Sequence, residues 1–291
     1  MTENAFILNF LRLYNTLGRL ALPLLKKNRR LALEFEKRIN TGHLEPAPVW
    51  IQAASAGEAY LALALIRGFR FQTPTRVLVT TFTAQGRQIL EQGLTEDPPA
   101  PETRVVLDWF VFDLPDLMKN AVRAVNPKVM VLLETELWPG LLYHLKKNRT
   151  RIIIANARLS VRSARHYRGT RCLWHALSPD RILAVSGPDR ERYGTLFRNA
   201  RLETMPNIKF ETLAGQAGAL AGPLGCPVPE LKSPAHTLAI LASIRRQEEP
   251  LAVQLVQRLL GTCPSTVMAV FPRHMHRIRH WRRKLKKAGI N

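Results

Sequence analysis

Between Val49 and Val185 the chain repeats one pattern: a short run of β-branched and apolar residues, then a longer stretch with helical spacing. Runs such as "VMVLL" (Val129–Leu133) and "IIIA" (Ile152–Ala155) are apolar at every position rather than at alternate ones. A strand buried on one face alternates; a strand buried on both does not, and both faces are covered when helices cross between parallel strands. Strands are expected at Val49–Ala53, Arg76–Thr81, Thr103–Leu107, Lys128–Leu133, Arg151–Ala155 and Arg181–Val185. Helices are expected at Glu58–Phe69, Ala84–Gln92, Pro115–Ala124 and Leu137–Lys147. The fold class is therefore α/β, with active residues at the carboxyl ends of the strands.

Four polar segments fall at those ends: "SAGE" (Ser55–Glu58), "TTFTAQG" (Thr80–Gly86), "ETELWPG" (Glu134–Gly140) and "NARLSVRS" (Asn156–Ser163). Each has a structural reading beside a chemical one. Ser55 and Glu58 have capping-box spacing, so Glu58 either ties off a helix or takes a proton. Thr80, Thr81 and Thr83 either cap the next helix or line a crevice. Glu134 and Glu136 are two apart at a strand end and either share the crevice, where paired carboxylates raise each other's pKa, or cap the helix opening near Pro139. Arg158 is either a phosphate clamp or a surface arginine.

Ahead of this region, Asn9, Arg12, Thr16, Arg19 and Pro23 draw one polar stripe along an otherwise apolar helix from Ala5 to Leu25. Two arginines near the middle of a membrane span would each cost roughly 2.5 to 3.5 kcal/mol, so the helix either lies in a membrane interface or packs on the domain. Lys26, Lys27, Arg29 and Arg30 follow and suit an anionic surface on the cytoplasmic side. The basic cluster sits on the wrong side for a cleaved signal peptide. Residues 1–44 are thus set apart from a Rossmann-like domain over 45–211. A Gly-, Ala- and Pro-rich linker follows at 212–235, then a βαβα pattern over 236–291, too little for a full doubly wound sheet.

With 43 Lys and Arg against 22 Asp and Glu, the net charge is +21, which calls for polyanionic partners. The basic runs lack the aromatic interleaving of single-strand platforms, which argues against a specific nucleic-acid binder. Cys172, Cys226 and Cys263 are far apart, consistent with buried free thiols. His274, His276 and His280 have no carboxylate near them in sequence, and no metal or other cofactor is expected. There is no GxxxxGK[ST] loop, no GxGxxG after the first strand and no GxSxG elbow.

Taken in order, "SAGE", "TTFTAQG", "FDLP" (Phe112–Pro115), "ETELWPG", "NARLSVRS", "PNIKFE" (Pro206–Glu211) and "FPRHMHR" (Phe271–Arg277) resemble the 3-deoxy-D-manno-octulosonic acid (Kdo) transferases. That family adds Kdo to the lipid A precursor of lipopolysaccharide at the cytoplasmic face of the inner membrane. The resemblance implies a GT-B glycosyltransferase with an acceptor-binding amino-terminal half and a half that holds CMP-Kdo. It implies inverting transfer with Glu58 as general base and Glu136 beside it. Ser55, Gly57, Thr80, Thr81, Thr83, Glu134, Arg158, Ser160 and Arg162 would face the phosphorylated acceptor. Lys209, Arg273 and His274 would lie near the donor phosphate. The family's "GST" strand end is here "ASIRRQEE" (Ala242–Glu249), and its glycine-rich loop and "GGHN…E" segment do not occur before Asn291. The expectation is an incomplete donor domain with uncovered strand edges, and the alternative reading is a non-catalytic remnant that binds anionic glycolipid.

Overall fold

The computed structural model describes residues 3–28, 31–209, 237–274 and 277–290. It divides into two compact units, Met1–Ala217 and Gly218–Asn291.

In the first unit the strands are β1 (Val49–Gln52), β2 (Thr75–Thr81), β3 (Thr103–Trp109), β4 (Val129–Leu133), β5 (Arg151–Ala157), β6 (Arg181–Ala184) and β7 (Arg201–Thr204). They form one sheet in the order β3-β2-β1-β4-β5-β6-β7, with every pairing parallel. The six expected strands are all present. β7 was not anticipated, because "RLET" is short, charged and only partly buried. Helices α1 (Glu3–Lys27), α2 (Phe35–Ile39), α3 (Ala56–Gly68), α4 (Ala84–Glu96), α5 (Pro115–Val125), α6 (Pro139–Lys147), α7 (Val161–Arg168), α8 (Arg171–Ala176) and α9 (Gly187–Leu196) complete the unit.

Alternate residues of each strand serve opposite faces. Val49, Ile51, Val77 and Val79 meet Leu61, Leu63 and Ile66 of α3 and Leu90 of α4. Trp50, Met130, Leu132, Ile152 and Ile154 meet Met118 and Val122 of α5, Leu141 and Leu145 of α6, and Ile7 and Leu11 of α1. Both faces are apolar because both are covered, which is what the continuous runs required.

Helix α1 packs on this unit through Ile7 and Leu11, while Leu13, Leu17, Leu20 and Leu24 stay exposed on another flank. Its approach to α5 is close: a Cβ at Gly18 would lie 2.1 Å from Leu114 Cδ2, so only glycine fits without displacement. Among the described residues no helix is long and apolar enough to cross a membrane.

The second unit holds a parallel pair, β8 (Thr237–Ile244) and β9 (Thr266–Pro272), with helices α10 (Glu249–Thr262) and α11 (Ile278–Lys287). Its small core is Ile244, Ala252 and Trp281. Leu238, Ile240 and Phe271 are exposed. Glu249 is buried and ion-paired with Arg277 at 2.5 Å and Lys284 at 2.9 Å. These two charge-assisted contacts, Arg277 first, hold its carboxyl well below the usual range. The sequence left the nearby histidines without a carboxylate; folding brings Glu249 to 3.6 Å from His280. His276 lies outside the described residues.

The cysteines correct another expectation. Cys172 and Cys263 are free but exposed, at the start of α8 and just past α10, on surfaces the apolar clusters do not use. Cys226 lies outside the described residues.

Candidate active site

The strand order reverses direction between β1 and β4, and a crevice opens at such a switch point beyond the carboxyl ends of the strands. "SAGE" follows β1 and "ETELWPG" follows β4, so Glu58, in the first turn of α3, and Glu134 and Glu136, in the loop after β4, flank it.

Ser55 is the N-cap of α3, and its Oγ accepts the Glu58 amide at 3.4 Å. In return, Glu58 accepts the Ala54 amide at 2.6 Å through Oε2 and the Ser55 hydroxyl at 3.0 Å through Oε1. Geometrically this is a capping box with its return bond taken one residue earlier. Glu58 is nonetheless 93 % removed from solvent, being only 7 % exposed. Burial raises its pKa, the two hydrogen bonds oppose that, and Glu134 adds to it.

Glu134 sits at φ +55°, a left-handed conformation that turns the chain out of β4. Its carbonyl accepts the Tyr193 hydroxyl at 3.1 Å, and its carboxylate meets Lys209 Nζ at 2.6 Å. Lys209, expected at the donor phosphate, thus contacts the carboxylate cluster, with Nζ 3.7 Å from where a Cβ on Gly57 would stand. Asn156 delivers that segment: its side-chain oxygen accepts the Ile208 amide at 3.1 Å.

Glu136 accepts the Trp138 indole N–H at 2.7 Å. Its carboxyl is pushed up to about 8, by burial first and then by Glu58 and Glu134, so it is mostly protonated at neutral pH. Burial raises the pKa of the Tyr167 hydroxyl, and Glu136, when it ionises, adds to that. Three carboxyl groups and one ammonium therefore share the crevice. The arrangement keeps one acid neutral, one carboxylate paired and one carboxylate able to receive a proton.

Other candidates divide by what they touch. Thr80 and Thr81 are buried, and the Thr80 hydroxyl accepts the Trp50 indole N–H at 2.8 Å inside the core. Thr83 caps α4 by accepting the Gly86 amide at 3.1 Å, and Ser160 caps α7 by accepting that of Ser163 at 3.1 Å. Arg158 and Arg162 are exposed and form no ion pair among the described residues. The Arg158 carbonyl accepts hydroxyls from Thr135 and Tyr193. Arg273 and His274 follow β9 in the second unit, both exposed.

Two supports were not visible in the sequence. Asp113 of "FDLP" accepts the Gly140 and Leu141 amides at 3.0 and 2.7 Å, capping α6 from outside the helix, and accepts Tyr14 of α1 at 3.2 Å. A Cβ at Gly140 would come within 2.9 Å of the Asp113 carboxylate, which is why the loop ends in glycine there. Arg38 is wholly buried and forms no ion pair among the described residues, with only the field of Glu34 acting on it; it donates to the Phe82 carbonyl at 2.8 Å and lies 4.6 Å from the Trp109 ring centre. Desolvation pulls its guanidinium down to about 10. A lone arginine in a short helix carries no signal that would have singled it out.

A family model described as 3-Deoxy-D-manno-octulosonic-acid transferase (kdotransferase) matches residues 26–212. Among curated relatives, a 3-deoxy-D-manno-octulosonic acid transferase of Haemophilus influenzae is 27% identical over 270 residues, which cover 90% of this chain and 60% of that protein. One of Bordetella pertussis is 28% identical over 255 residues, covering 84% and 56%. A bifunctional glycosyltransferase/methyltransferase of Fusobacterium nucleatum is 24% identical over 279 residues, covering 91% and 41%. The chain spans about half the length of the curated relatives it matches. Among solved structures, a UDP-GlcNAc 2-epimerase from Neisseria meningitidis bound to UDP-GlcNAc superposes with a TM-score of 0.54 at 11% identity, over 84% of this chain and 70% of that one. At that identity the likeness concerns the fold alone, a GT-B-type, Rossmann-like α/β architecture.

Proposed function

The chain belongs to the 3-deoxy-D-manno-octulosonic-acid (Kdo) transferase family, and from that premise we propose that it transfers Kdo from CMP-Kdo to a phosphorylated lipid A precursor with inversion. The observation that carries the reading is Glu58: a buried carboxylate at the switch point, with its proton affinity raised by burial and by Glu134. An ionised carboxylate offers about four lone-pair directions. Ala54 and Ser55 use two, so the cap leaves room for an acceptor hydroxyl.

In the proposed step the acceptor oxygen forms its bond to the Kdo anomeric carbon and its proton passes to Glu58. The bond from that carbon to the CMP phosphate breaks ahead of attack, through an oxocarbenium-like centre, and CMP leaves with the electron pair. Glu136, kept neutral, adds no negative charge against the departing phosphate or the approaching acceptor. Arg158 and Arg162, exposed and free of acidic partners among the described residues, suit the acceptor phosphates. Arg273 and His274 are assigned to the donor side by the same reading. Helix α1, with its exposed leucines and terminal Lys26 and Lys27, would rest on the cytoplasmic face of the inner membrane.

The test is incubation of the protein with CMP-Kdo and a phosphorylated lipid A precursor, followed by mass spectrometry of the lipid. A product heavier by one or more Kdo residues is expected. Lipid binding without any transfer would instead support the non-catalytic glycolipid-binding reading.

A further inference from the structure

Away from the switch point, a cleft of about 800 Å³ runs between α1 and the α5–α6 pair. Its floor is apolar, with Leu8, Leu11 and Val122 among its lining, and its walls carry Arg12, Lys119, Arg123 and Lys147. Asp116 is the one carboxylate in the lining, and it is already held by the Arg19 guanidinium through Nε at 2.9 Å and a second nitrogen. Arg12, Lys119, Arg123 and Lys147 form no ion pair with an acid among the described residues, and all four are exposed. Lys147 instead stands 4.9 Å from the centre of the Tyr143 ring, which also lines the cleft.

The field there is positive at the scale of individual groups. His144, a further lining residue, is pushed down to about 4 by burial and then by Lys147 and Lys119, so at neutral pH it is an uncharged hydrogen-bonding group among cations. Four uncompensated cations around an apolar floor suit an anion joined to a hydrocarbon body. Neither a purely polar anion nor a neutral lipid satisfies both halves of that lining.

We infer that this cleft binds the phosphate headgroup of an anionic glycerophospholipid, with the proximal part of its acyl chains on the Leu8–Leu11–Val122 floor. None of the residues assigned to sugar transfer lines it. The leucine stripe of α1 lies on the other flank of that helix, so a lipid in the cleft sits beside the helix rather than under it.

The test is calorimetric titration of the full chain with dihexanoyl-phosphatidylglycerol, a monomeric short-chain lipid that needs no bilayer. Dihexanoyl-phosphatidylcholine and inorganic phosphate serve as the neutral-headgroup and free-anion arms. Saturable binding of the glycerol lipid is expected, with both comparison ligands at least about tenfold weaker. Combining Lys119→Gln, Arg123→Gln and Lys147→Gln should weaken binding on the order of 100-fold, from about fivefold per cation. A control with Arg70→Gln, Arg104→Gln and Arg198→Gln removes the same charge from exposed residues of the unit that do not line the cleft, and should bind as the parent does. Equal loss in both triple variants would overturn the inference, because it would report net charge alone. Equal affinity for the choline lipid, or for inorganic phosphate, would overturn it too.

Discussion

Glu58 holds two positions that the sequence presented as alternatives. Its carboxylate closes a capping box on α3, and it stands within the field of Glu134 at the switch point. The proposed proton transfer gives the field a measurable consequence. The acid limb of the rate profile should lie above the usual carboxylate range, because Glu58 must be ionised to act. Glu134→Gln removes a repulsive charge and should move that limb to lower pH; Lys209→Met leaves Glu134 uncompensated and should move it to higher pH. The pH dependence of kcat/KM in the two variants checks both signs. Glu58, Glu134 and Glu136 were legible as candidates because they follow strands. The ion pair from Lys209 to Glu134 was not, since it spans 75 residues of sequence. Arg38 was equally hidden. Its side chain ties Phe82 and Phe110 carbonyls to α2, so Arg38→Ala should cost about 3 kcal/mol by leaving buried acceptors unpaired, read from urea unfolding.

At the level of elements, the motif residues do as much work for helix ends as for chemistry. Ser55, Thr83, Ser160 and Ser186 each cap the helix that follows them. Asp113 caps α6 from a distance and links it to α1 through Tyr14. Burial pushes the Asp113 carboxyl up to about 7, against the pull of the Gly140 and Leu141 amides. A carboxyl whose pKa is higher folded than unfolded stabilises the fold fully below the unfolded value, and that contribution fades as pH rises through the folded value. Stability should therefore fall between about pH 4 and 7 on account of Asp113, and on toward 8 on account of Glu136. Asp113→Asn should flatten the first part of that slope while costing about 1 kcal/mol for the weakened cap, both read from urea unfolding across pH. The strands were legible because burial on two faces leaves an unbroken apolar run. Helices α7 and α9 were not, because "VRSARHYR" and "GPDRERYGTL" bury few residues and carry no apolar stripe.

For the whole molecule, topology is what turns scattered motifs into one site. The order β3-β2-β1-β4-β5-β6-β7, by setting β1 beside β4, brings the loop after β1 beside the loop after β4, and with them three carboxyl groups and Lys209. The sequence pattern pointed to that class of sheet, but the pairing of β1 with β4 depends on register across some 80 residues, from Val49↔Val129 to Gln52↔Leu132. The excess of 21 positive charges is distributed unevenly: little of it lies at the carboxylates, α5, α6 and α7 together carry a net +6, and α11 alone carries as much. The proposed role of Glu58 as the base for Kdo transfer is isolated by Glu58→Gln, because glutamine keeps an acceptor for the Ala54 amide while losing the ability to take a proton. Single-turnover transfer from CMP-Kdo to the lipid acceptor is the measurement. The rate should fall about 10²- to 10⁴-fold with acceptor binding and near-UV circular dichroism unchanged; an unaltered rate in that variant would rule Glu58 out as the base.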